Sequence, residues 1–423
     1  HSAKALARNP SWEQGLAAVR KAILAERGRQ PSLRQLAKCC GTDARNPPSD
    51  DELRPVRAAV ARALSLSAAH GEDHNPATPL RWRLFEAASA AMGDLDKPVA
   101  QWLRDGAPMG ITQPIAPGGL FPTKQQPAEI TVEELEADEH WSTNHPSFEE
   151  VRPGLRRAPG YDLIEEYLQK GFGALFATPE AAAQHLGGTV VPAPMGTVTT
   201  VKEDGRIKDR IIQDQRANRV NAAVQMSERQ VLPRPLDHAL DLASLSATCS
   251  AGEVVRSLVL DFRDAFMSIP LAEAERPYNA PVLDQPITLQ REPLHDAEPS
   301  SGSCVLWRVF GFGGKPNPIV YSRVASFALR VSQALVHLPH RQHTAPLNIA
   351  RARNQLYVDD HTVVAAGPSS QVARSFDMVI IWLLAIGIPL SWKKGSFSGG
   401  PHQWIGVRFG IEPSSSAAWM EVP

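Results

Sequence analysis

An aspartate closes a continuous apolar run that is typical of a buried β-strand. Residues 257–260 read Ser-Leu-Val-Leu, and Asp261 follows them directly. A carboxylate at the end of a core strand is costly in free energy unless water, a cation or a hydrogen-bond donor compensates its charge. We therefore expect this end of the strand to lie at a wet edge or against positive charge.

A second acidic site, Asp359-Asp360, lies between two β-prone runs, which predicts a hairpin with both acids near its tip. Adjacent carboxylates repel each other, so a pair that lines a cleft normally requires a cation. A solvated surface turn is the alternative. If this hairpin meets the strand that ends in Asp261, the oxygens suit two divalent ions roughly 3.5–4 Å apart, as in in-line phosphoryl displacement. Oxygen ligands favour Mg²⁺ or Mn²⁺ over zinc.

Basic residues cluster on a predicted β-hairpin that precedes both acidic sites. Residues 198–201 and 210–212 are β-prone, and residues 203–205 predict the turn between them. The basic side chains are Lys202, Arg206, Lys208 and Arg210. Such a hairpin suits a contact with a triphosphate, although basic hairpins are also common on ordinary protein surfaces.

Six segments in this order resemble the motif series of retroviral and LTR-retrotransposon reverse transcriptases. They are the basic hairpin and residues 258–266, 309–323, 356–360, 389–397 and 404–407. The resemblance extends from residue 161 to residue 409. It implies an α+β fold with a right-hand polymerase palm, which is an antiparallel sheet backed by helices, and with fingers. Helical periodicity before residue 105 adds a mainly helical N-terminal region.

The resemblance implies roles for the acids and for one lysine. The expected metal site comprises Asp261, Phe262 through its carbonyl, Asp359 and Asp360. Asp261 and Asp359 are the two expected ligands, and Asp360 is the neighbouring third acid. Lys394 matches the lysine that protonates departing pyrophosphate, with Lys393 as the alternative assignment and an ordinary surface lysine as the other interpretation.

The same resemblance assigns further positions to the nucleotide and the primer. Phe266 falls where the family places an aromatic ring against the sugar, which would exclude a 2′-hydroxyl; a core position is the alternative. The other expected nucleotide-binding residues are Arg210, Lys208, Lys202, Asp264, Ala265, Phe312 and Gly313. Among them Arg210 is the first choice for the triphosphate. Trp404, Ile405 and Gly406 resemble the hairpin that grips the primer terminus.

The sequence predicts five segments. They are a helical N-terminal region of unknown role (1–125), an acidic and Pro-rich linker (126–158), fingers (159–236), a palm (237–412) and a tail (413–423). Insertions in the palm are expected near 284–304 and 337–353, and the second contains three histidines that we interpret as loop residues. Neither a thumb nor an RNase H domain is expected.

Composition excludes few classes of protein. The formal net charge of −1 does not exclude nucleic-acid binding, because only the binding groove must be positive. The four cysteines have no spacing suited to zinc, and they predict an intracellular protein. No apolar run is long enough to span a membrane.

The resemblance implies a reverse transcriptase that adds deoxynucleotides to a primer 3′-hydroxyl with two Mg²⁺ or Mn²⁺ ions. Its expected partners are an RNA or DNA template-primer and dNTPs, with no membrane; an oligomeric state is not predicted. One alternative is a decayed or co-opted protein that binds nucleic acid without catalysis. Another is an RNA-dependent RNA polymerase, which Phe266 and the Tyr-Val-Asp-Asp sequence at 357–360 argue against.

Overall fold

Helices dominate the N-terminal region, and others alternate with strands after it. The computed structural model describes residues 10–41, 47–138, 143–202, 205–289, 299, 301–336, 348–412 and 417–422. The α-helices in these ranges are α1 (Pro10–Arg29), α2 (Asp50–Ala63), α3 (Trp82–Met92), α4 (Pro98–Asp105), α5 (Val132–Ala137), α6 (Pro146–Glu149), α7 (Pro159–Gln169), α8 (Pro179–Leu186), α9 (Val220–Ala223), α10 (Pro235–Ala247), α11 (Asn317–Val336) and α12 (Ser369–Ala385).

The start of α2 is set by local side-chain chemistry. Ser49 accepts a hydrogen bond from the Glu52 backbone N–H at 3.3 Å, and Glu52 accepts one from the Ser49 N–H at 2.8 Å. This reciprocal capping satisfies two donors that a helix start leaves unpaired. The predicted helical N-terminal region is confirmed in the described residues up to 105.

The N-terminal helices share one hydrophobic core with α11 and α12. Phe85 of α3 stacks on Phe327 of α11, with ring centroids 5.1 Å apart. The buried side chain of Arg20 in α1 donates to the carbonyl oxygens of Ala334 and Leu335 at 2.8 and 2.7 Å, so it caps the last turn of α11. The N-terminal region is thus packed onto the helices behind the central sheet.

Fifteen strands form five sheets in the described residues. They are β1 (Thr123–Gln126), β2 (Gly173–Phe176), β3 (Pro192–Ala193), β4 (Met195–Val201), β5 (Ile207–Gln213), β6 (Met226–Glu228), β7 (Val254–Asp261), β8 (Ala280–Thr288), β9 (Ser301–Trp307), β10 (Arg351–Tyr357), β11 (Asp360–Gly367), β12 (Ser396–Ser398), β13 (His402–Trp404), β14 (Val407–Ile411) and β15 (Ala418–Glu421).

The central sheet has the order β10-β11-β7-β12 and is antiparallel throughout. Its two faces alternate along β7, as the strand period requires. Leu258 and Leu260 belong to the core that includes α11 and α12, whereas Val259 belongs to a smaller core with α10 and the β13-β14-β15 sheet. The predicted α+β class, with an antiparallel sheet backed by helices, is confirmed.

A second sheet has the order β2-β9-β8-β3, with only the β3–β8 pair parallel. Strands β8 and β9 come from the segment predicted as palm but pair with strands of the segment predicted as fingers. They include the flanks of the predicted insertion at 284–304, whereas residues 290–298 and 300 lie outside the described residues. The second predicted insertion ends in β10, and its histidines at 337, 340 and 343 also lie outside them. The segment boundaries stay predictions.

The basic hairpin is confirmed as the antiparallel pair β4–β5. Residues 203 and 204 of its predicted turn lie outside the described residues. Within the part of the chain that the structure describes, no helix is both long and apolar enough to cross a membrane.

Candidate active site

Asp261 meets Asp359 and Asp360, which follow it by 98 and 99 residues, at one edge of the central sheet. Asp261 is the last residue of β7, and its direct cross-strand partner is Asp360, the first residue of β11. The carbonyl oxygen of Asp359 accepts a hydrogen bond from the Phe262 N–H at 3.0 Å. Like charges placed opposite each other destabilise a strand pair, so the sheet is held in register by other contacts.

A two-residue turn presents Asp359. Tyr357 pairs with Asp360 across it, which leaves Val358 and Asp359 as the turn residues. Val358 has φ +56°, a conformation that a β-branched residue rarely adopts, and it stores roughly 1–3 kcal/mol of strain. The surrounding structure must supply this free energy for the acids to stay in place.

Part of that support comes from the predicted primer grip. The indole Nε1–H of Trp404 donates to the backbone carbonyl oxygen of Asp360 at 3.1 Å, and the Trp404 side chain is buried. Trp404 therefore packs beneath the acidic turn and holds it. Ile405 and Gly406, with φ +44° and +78°, form the two-residue turn between β13 and β14, in which Ile405 is partly buried and Gly406 exposed. Sequence reasoning missed the contact between Trp404 and Asp360, because nothing local couples these residues.

The acids are short of compensating positive charge. Burial raises the pKa of Asp359, and repulsion from Asp261 adds to the effect. Burial also raises the pKa of Asp360 to about 6, with further contributions from Asp359 and Asp261. Lys394 Nζ donates to Asp261 Oδ1 at 2.8 Å, and its charge acts in the opposite direction on both neighbouring acids.

This donor set fits divalent cations. In the described residues no group of three His, Cys, Asp or Glu side chains is arranged as a complete metal site. Mg²⁺ is commonly held by one or two carboxylates together with substrate phosphates and water, so a partial protein site is what this cation needs. Raised pKa values for Asp359 and Asp360 mark negative charge that a cation would stabilise.

The basic hairpin faces the acids. Burial lowers the pKa of Lys208, and the nearby charges of Arg210, Lys394 and Lys202 lower it further, whereas Asp261 acts against them. Lys208 and Lys394 are also the lysines whose charges act on Asp359. The structure thus brings the predicted triphosphate residues and the predicted catalytic acids around one space.

The predicted nucleotide pocket lies beside this space. The half-buried ring of Phe266 packs edge-on against Phe312 and Tyr321, with centroids 5.4 and 5.5 Å away. Gly313 has φ +118°, and a Cβ there would lie 1.9 Å from the Gln213 carbonyl oxygen, so only glycine lets the loop dock on β5. The structure brings Phe266, Phe312 and Gly313 together as expected for one pocket.

One cation of this pocket was missed by sequence reasoning. Asp264, at φ +52°, pairs through Oδ2 with Lys170 Nζ at 3.2 Å. Lys170 follows α7 and also pairs with Glu166 at 2.8 Å. A lysine at a helix end has no distinguishing local pattern, so only the packing of α7 against the site reveals it.

Two buried histidines meet at the β13–β14 hairpin, His402 in β13 and His238 in α10. His238 Nε2 and His402 Nε2 lie 2.8 Å apart, which requires one ring to donate and the other to accept. Burial lowers the pKa of His238 to about 3, with His402 adding to the effect, and burial lowers that of His402 to about 4. The pair is therefore neutral in the folded protein at neutral pH.

We expect this pair to cause acid destabilisation. Because the folded pKa values lie below the unfolded value of about 6.5, stability is complete above pH 6.5 and is lost as pH falls towards 4. With two groups, the slope reaches about 2.7 kcal/mol per pH unit. The His238→Leu/His402→Leu variant should lose this slope in urea unfolding between pH 6.5 and 4. Asp360 titrates equally in both proteins, so its contribution cancels; equal slopes would contradict the expectation.

The chain was compared with protein families, curated proteins and solved structures, and two of these comparisons found matches. A family profile described as reverse transcriptase (RNA-dependent DNA polymerase) matches residues 202–409, about half of the chain. The comparison with curated proteins found no match.

Similar solved structures include a foamy viral protease-reverse transcriptase in complex with double-stranded DNA. It is 15% identical, with a TM-score of 0.38 over 67% of this chain and 39% of that chain. Native prototype foamy virus protease-reverse transcriptase is 16% identical, with a TM-score of 0.37 over 67% of this chain and 29% of that chain. The chain thus spans well under half the length of either structure.

Proposed function

The chain belongs, through residues 202–409, to the reverse transcriptase family, and from this premise we propose that it adds deoxynucleotides to a primer 3′-hydroxyl. The template is RNA or DNA paired with the primer, and the co-substrates are dNTPs. The observation that supports the proposal most is the meeting of Asp261, Asp359 and Asp360 at one sheet edge opposite Lys208 and Lys394.

The chain's own groups have distinct tasks in this reaction. Lys208 and Arg210 bind and orient the triphosphate. In this proposal Lys394 gives a proton to the departing pyrophosphate, and the bond of its Nζ to Asp261 supports a position beside the acids. Divalent cations held by the carboxylates of Asp261 and Asp359 would supply the positive charge that stabilises the attacking and leaving oxygens. Catalysis then depends mainly on positioning and charge stabilisation.

Primer extension tests the proposal. The protein is mixed with a labelled primer on an RNA template, dNTPs and Mg²⁺ or Mn²⁺, and products are resolved on a denaturing gel. We expect extension that EDTA abolishes. A protein that shifts the primer-template in a native gel but adds no nucleotide would be the inactive binding protein, and a preference for rNTPs would indicate an RNA polymerase.

We expect Phe266 to exclude the 2′-hydroxyl. Its half-exposed ring, packed on Phe312 and Tyr321, leaves its outer edge available to a sugar. Truncation in Phe266→Ala removes the clash and should raise the ratio of kcat/KM for rNTP over dNTP by about 100-fold. Steady-state incorporation of a single nucleotide measures the ratio.

A matched control makes the same Phe→Ala change at a position outside the candidate site. Phe176→Ala removes a half-buried ring in β2 that contacts His185, within the second sheet. We expect it to leave the rNTP/dNTP ratio at the wild-type value. An unchanged ratio in Phe266→Ala would show that Phe266 is only a core residue.

A further inference from the structure

The segment that carries Lys394 is bonded to the catalytic strand on one side. The backbone N–H of Ser391 donates to the Asp261 carbonyl oxygen at 2.8 Å, and the N–H of Arg263 donates to the Pro389 carbonyl oxygen at 2.8 Å. These bonds fix the path of residues 389–391 against the end of β7. Strand β12 pairs with β7 again from Ser396 onward, so residues 392–395, which include the lysine, connect two points that are bonded to β7.

The other side of this segment rests on the helical N-terminal region. The N–H of Gly41 donates to the carbonyl oxygen of Trp392 at 2.8 Å. Earlier in the segment, the N–H of Arg81 donates to the carbonyl oxygen of Ile386 at 2.9 Å. Residues 386–395, which we call the lysine segment, therefore lie between the sheet edge and two contact points in the N-terminal region, Gly41 and Arg81.

The contact at Gly41 leaves no room for a side chain. Gly41 has φ +71°, and a Cβ there would lie 2.8 Å from the Gly395 carbonyl oxygen. A Cβ on Gly395 would in turn lie 3.0 Å from Cys40 Cβ and 3.0 Å from the Val259 carbonyl oxygen. Backbone packs directly on backbone here, so small displacements of residues 40–41 must be felt by residues 392–395.

The N-terminal loop is itself anchored to the helix behind the sheet. The fully buried carboxylate of Asp377, in α12, accepts hydrogen bonds from the N–H groups of Gln35 and Leu36 at 2.9 and 2.7 Å. It also pairs with Arg27 Nε of α1 at 2.7 Å. Hydrogen bonds to a charged, buried acceptor are stronger than neutral ones, so they hold the loop at residues 35–36 in a fixed position against α12.

We propose that Cys40 and Gly41 position Lys394 for catalysis, which gives the helical N-terminal region a role in the active site. The inference rests on the proposed polymerase function. The family profile begins at residue 202, so this support lies outside the segment that the profile matches. Gly41 acts through the lysine segment and touches no substrate.

Hydrogen–deuterium exchange tests the physical contact without any need for activity. We compare the full-length chain with Gly41→Ala and with Gly93→Ala, which adds the same methyl group at a similar φ of +63° but meets nothing within 4 Å. Gly41→Ala should speed amide exchange in residues 392–396 by about tenfold, because the supporting bond is strained, and Gly93→Ala should leave these amides unchanged. Wild-type rates in Gly41→Ala would overturn the proposal.

Single-turnover primer extension tests the catalytic consequence. Gly41→Ala should lower the rate of incorporation at saturating dNTP by about tenfold or more, with little change in KM, because misplacement of a catalytic group affects the chemical step. In a Lys394→Ala background the same substitution should have no further effect. Additive losses would show that Gly41 acts by general destabilisation, and would overturn the proposal.

A second pair of variants tests the contact between residues 40–41 and Gly395 by changing Gly395. Gly395→Ala, in ordinary extended backbone, presses on Cys40 and should slow incorporation. Adding Cys40→Gly removes the Cys40 atoms at 3.0 and 3.2 Å but leaves the Val259 carbonyl oxygen at 3.0 Å, so it should restore part of the rate; no restoration would count against the proposal. If the wild-type chain itself incorporates nothing, the polymerase function fails, and the exchange experiment still decides whether the support exists.

Discussion

Asp359→Asn should lower Mg²⁺-dependent nucleotide incorporation by about 10³-fold or more, and Asp261→Asn should do the same. Each substitution keeps the size of the side chain but removes a negative charge from the shared edge of β7 and β11. Loss of metal-held charge stabilisation in the transition state is worth several kcal/mol, which corresponds to this factor. Single-nucleotide incorporation on an RNA template at saturating Mg²⁺ measures it.

Asp359→Asn should also stabilise the fold when metal is absent. Burial raises the pKa of Asp359, and repulsion from Asp261 adds to the effect, so the charged form is disfavoured in the folded protein. A neutral side chain removes this cost, and the thermal unfolding midpoint in EDTA should rise. A rate loss accompanied by a lower midpoint would instead indicate damage to the fold.

Asp284→Asn is the matched control for the catalytic substitutions. Asp284 is exposed in β8, within the second sheet, and the change again converts one carboxylate to an amide. We expect wild-type incorporation and a wild-type midpoint. Equal activity of Asp359→Asn and Asp284→Asn would refute the assignment of the catalytic edge.

Arg323→Met should lower the free energy of unfolding by about 3–5 kcal/mol. Arg323 of α11 pairs with Asp96, the loop residue between α3 and α4, through bonds of 2.8 and 2.5 Å, and both side chains are 0% exposed. Its guanidinium also lies 4.1 Å from the Trp102 ring centroid. Removing the arginine leaves the Asp96 charge buried without its partner, which is the main cost.

Urea unfolding measures the effect, and two further variants interpret it. Arg323→Met/Asp96→Leu removes both charges and should recover most of the lost stability, because an apolar pair needs no compensation. Arg104→Met breaks an exposed pair with Asp105, at 2.8 Å and about half accessible, and should cost far less than Arg323→Met because water screens the pair. If Arg323→Met costs no more than Arg104→Met, the buried pair does not hold the N-terminal region to α11.

Local sequence was enough to predict which residues form the candidate site and which elements carry them. An apolar run that ends in Asp261, and paired acids between β-prone runs, predict strand ends and a hairpin from residue types alone. The register that pairs Asp261 with Asp360 follows from those elements once they share a sheet. The glycine-rich loop at Gly313 was expected to approach a nucleotide closely, and its close approach to the Gln213 carbonyl oxygen of β5 was not predicted.

Contacts between distant segments needed the tertiary structure. The Trp404 bond to Asp360, the Lys170 pair with Asp264 and the Gly41 bond to Trp392 join residues that no local pattern links. The second sheet was likewise not predicted. Strands β8 and β9, from the segment predicted as palm, pair with β3 and β2 and not with the central sheet.

The sequence by itself determined the candidate site residues and the local elements that carry them. Propensity, alternation and turn chemistry act over a few residues, so they are encoded locally. Only the tertiary structure decided which surfaces meet, including the support of the lysine segment by the N-terminal region. The physical reason is that partner choice depends on the summed packing of whole elements, and similar local patterns are compatible with many such arrangements.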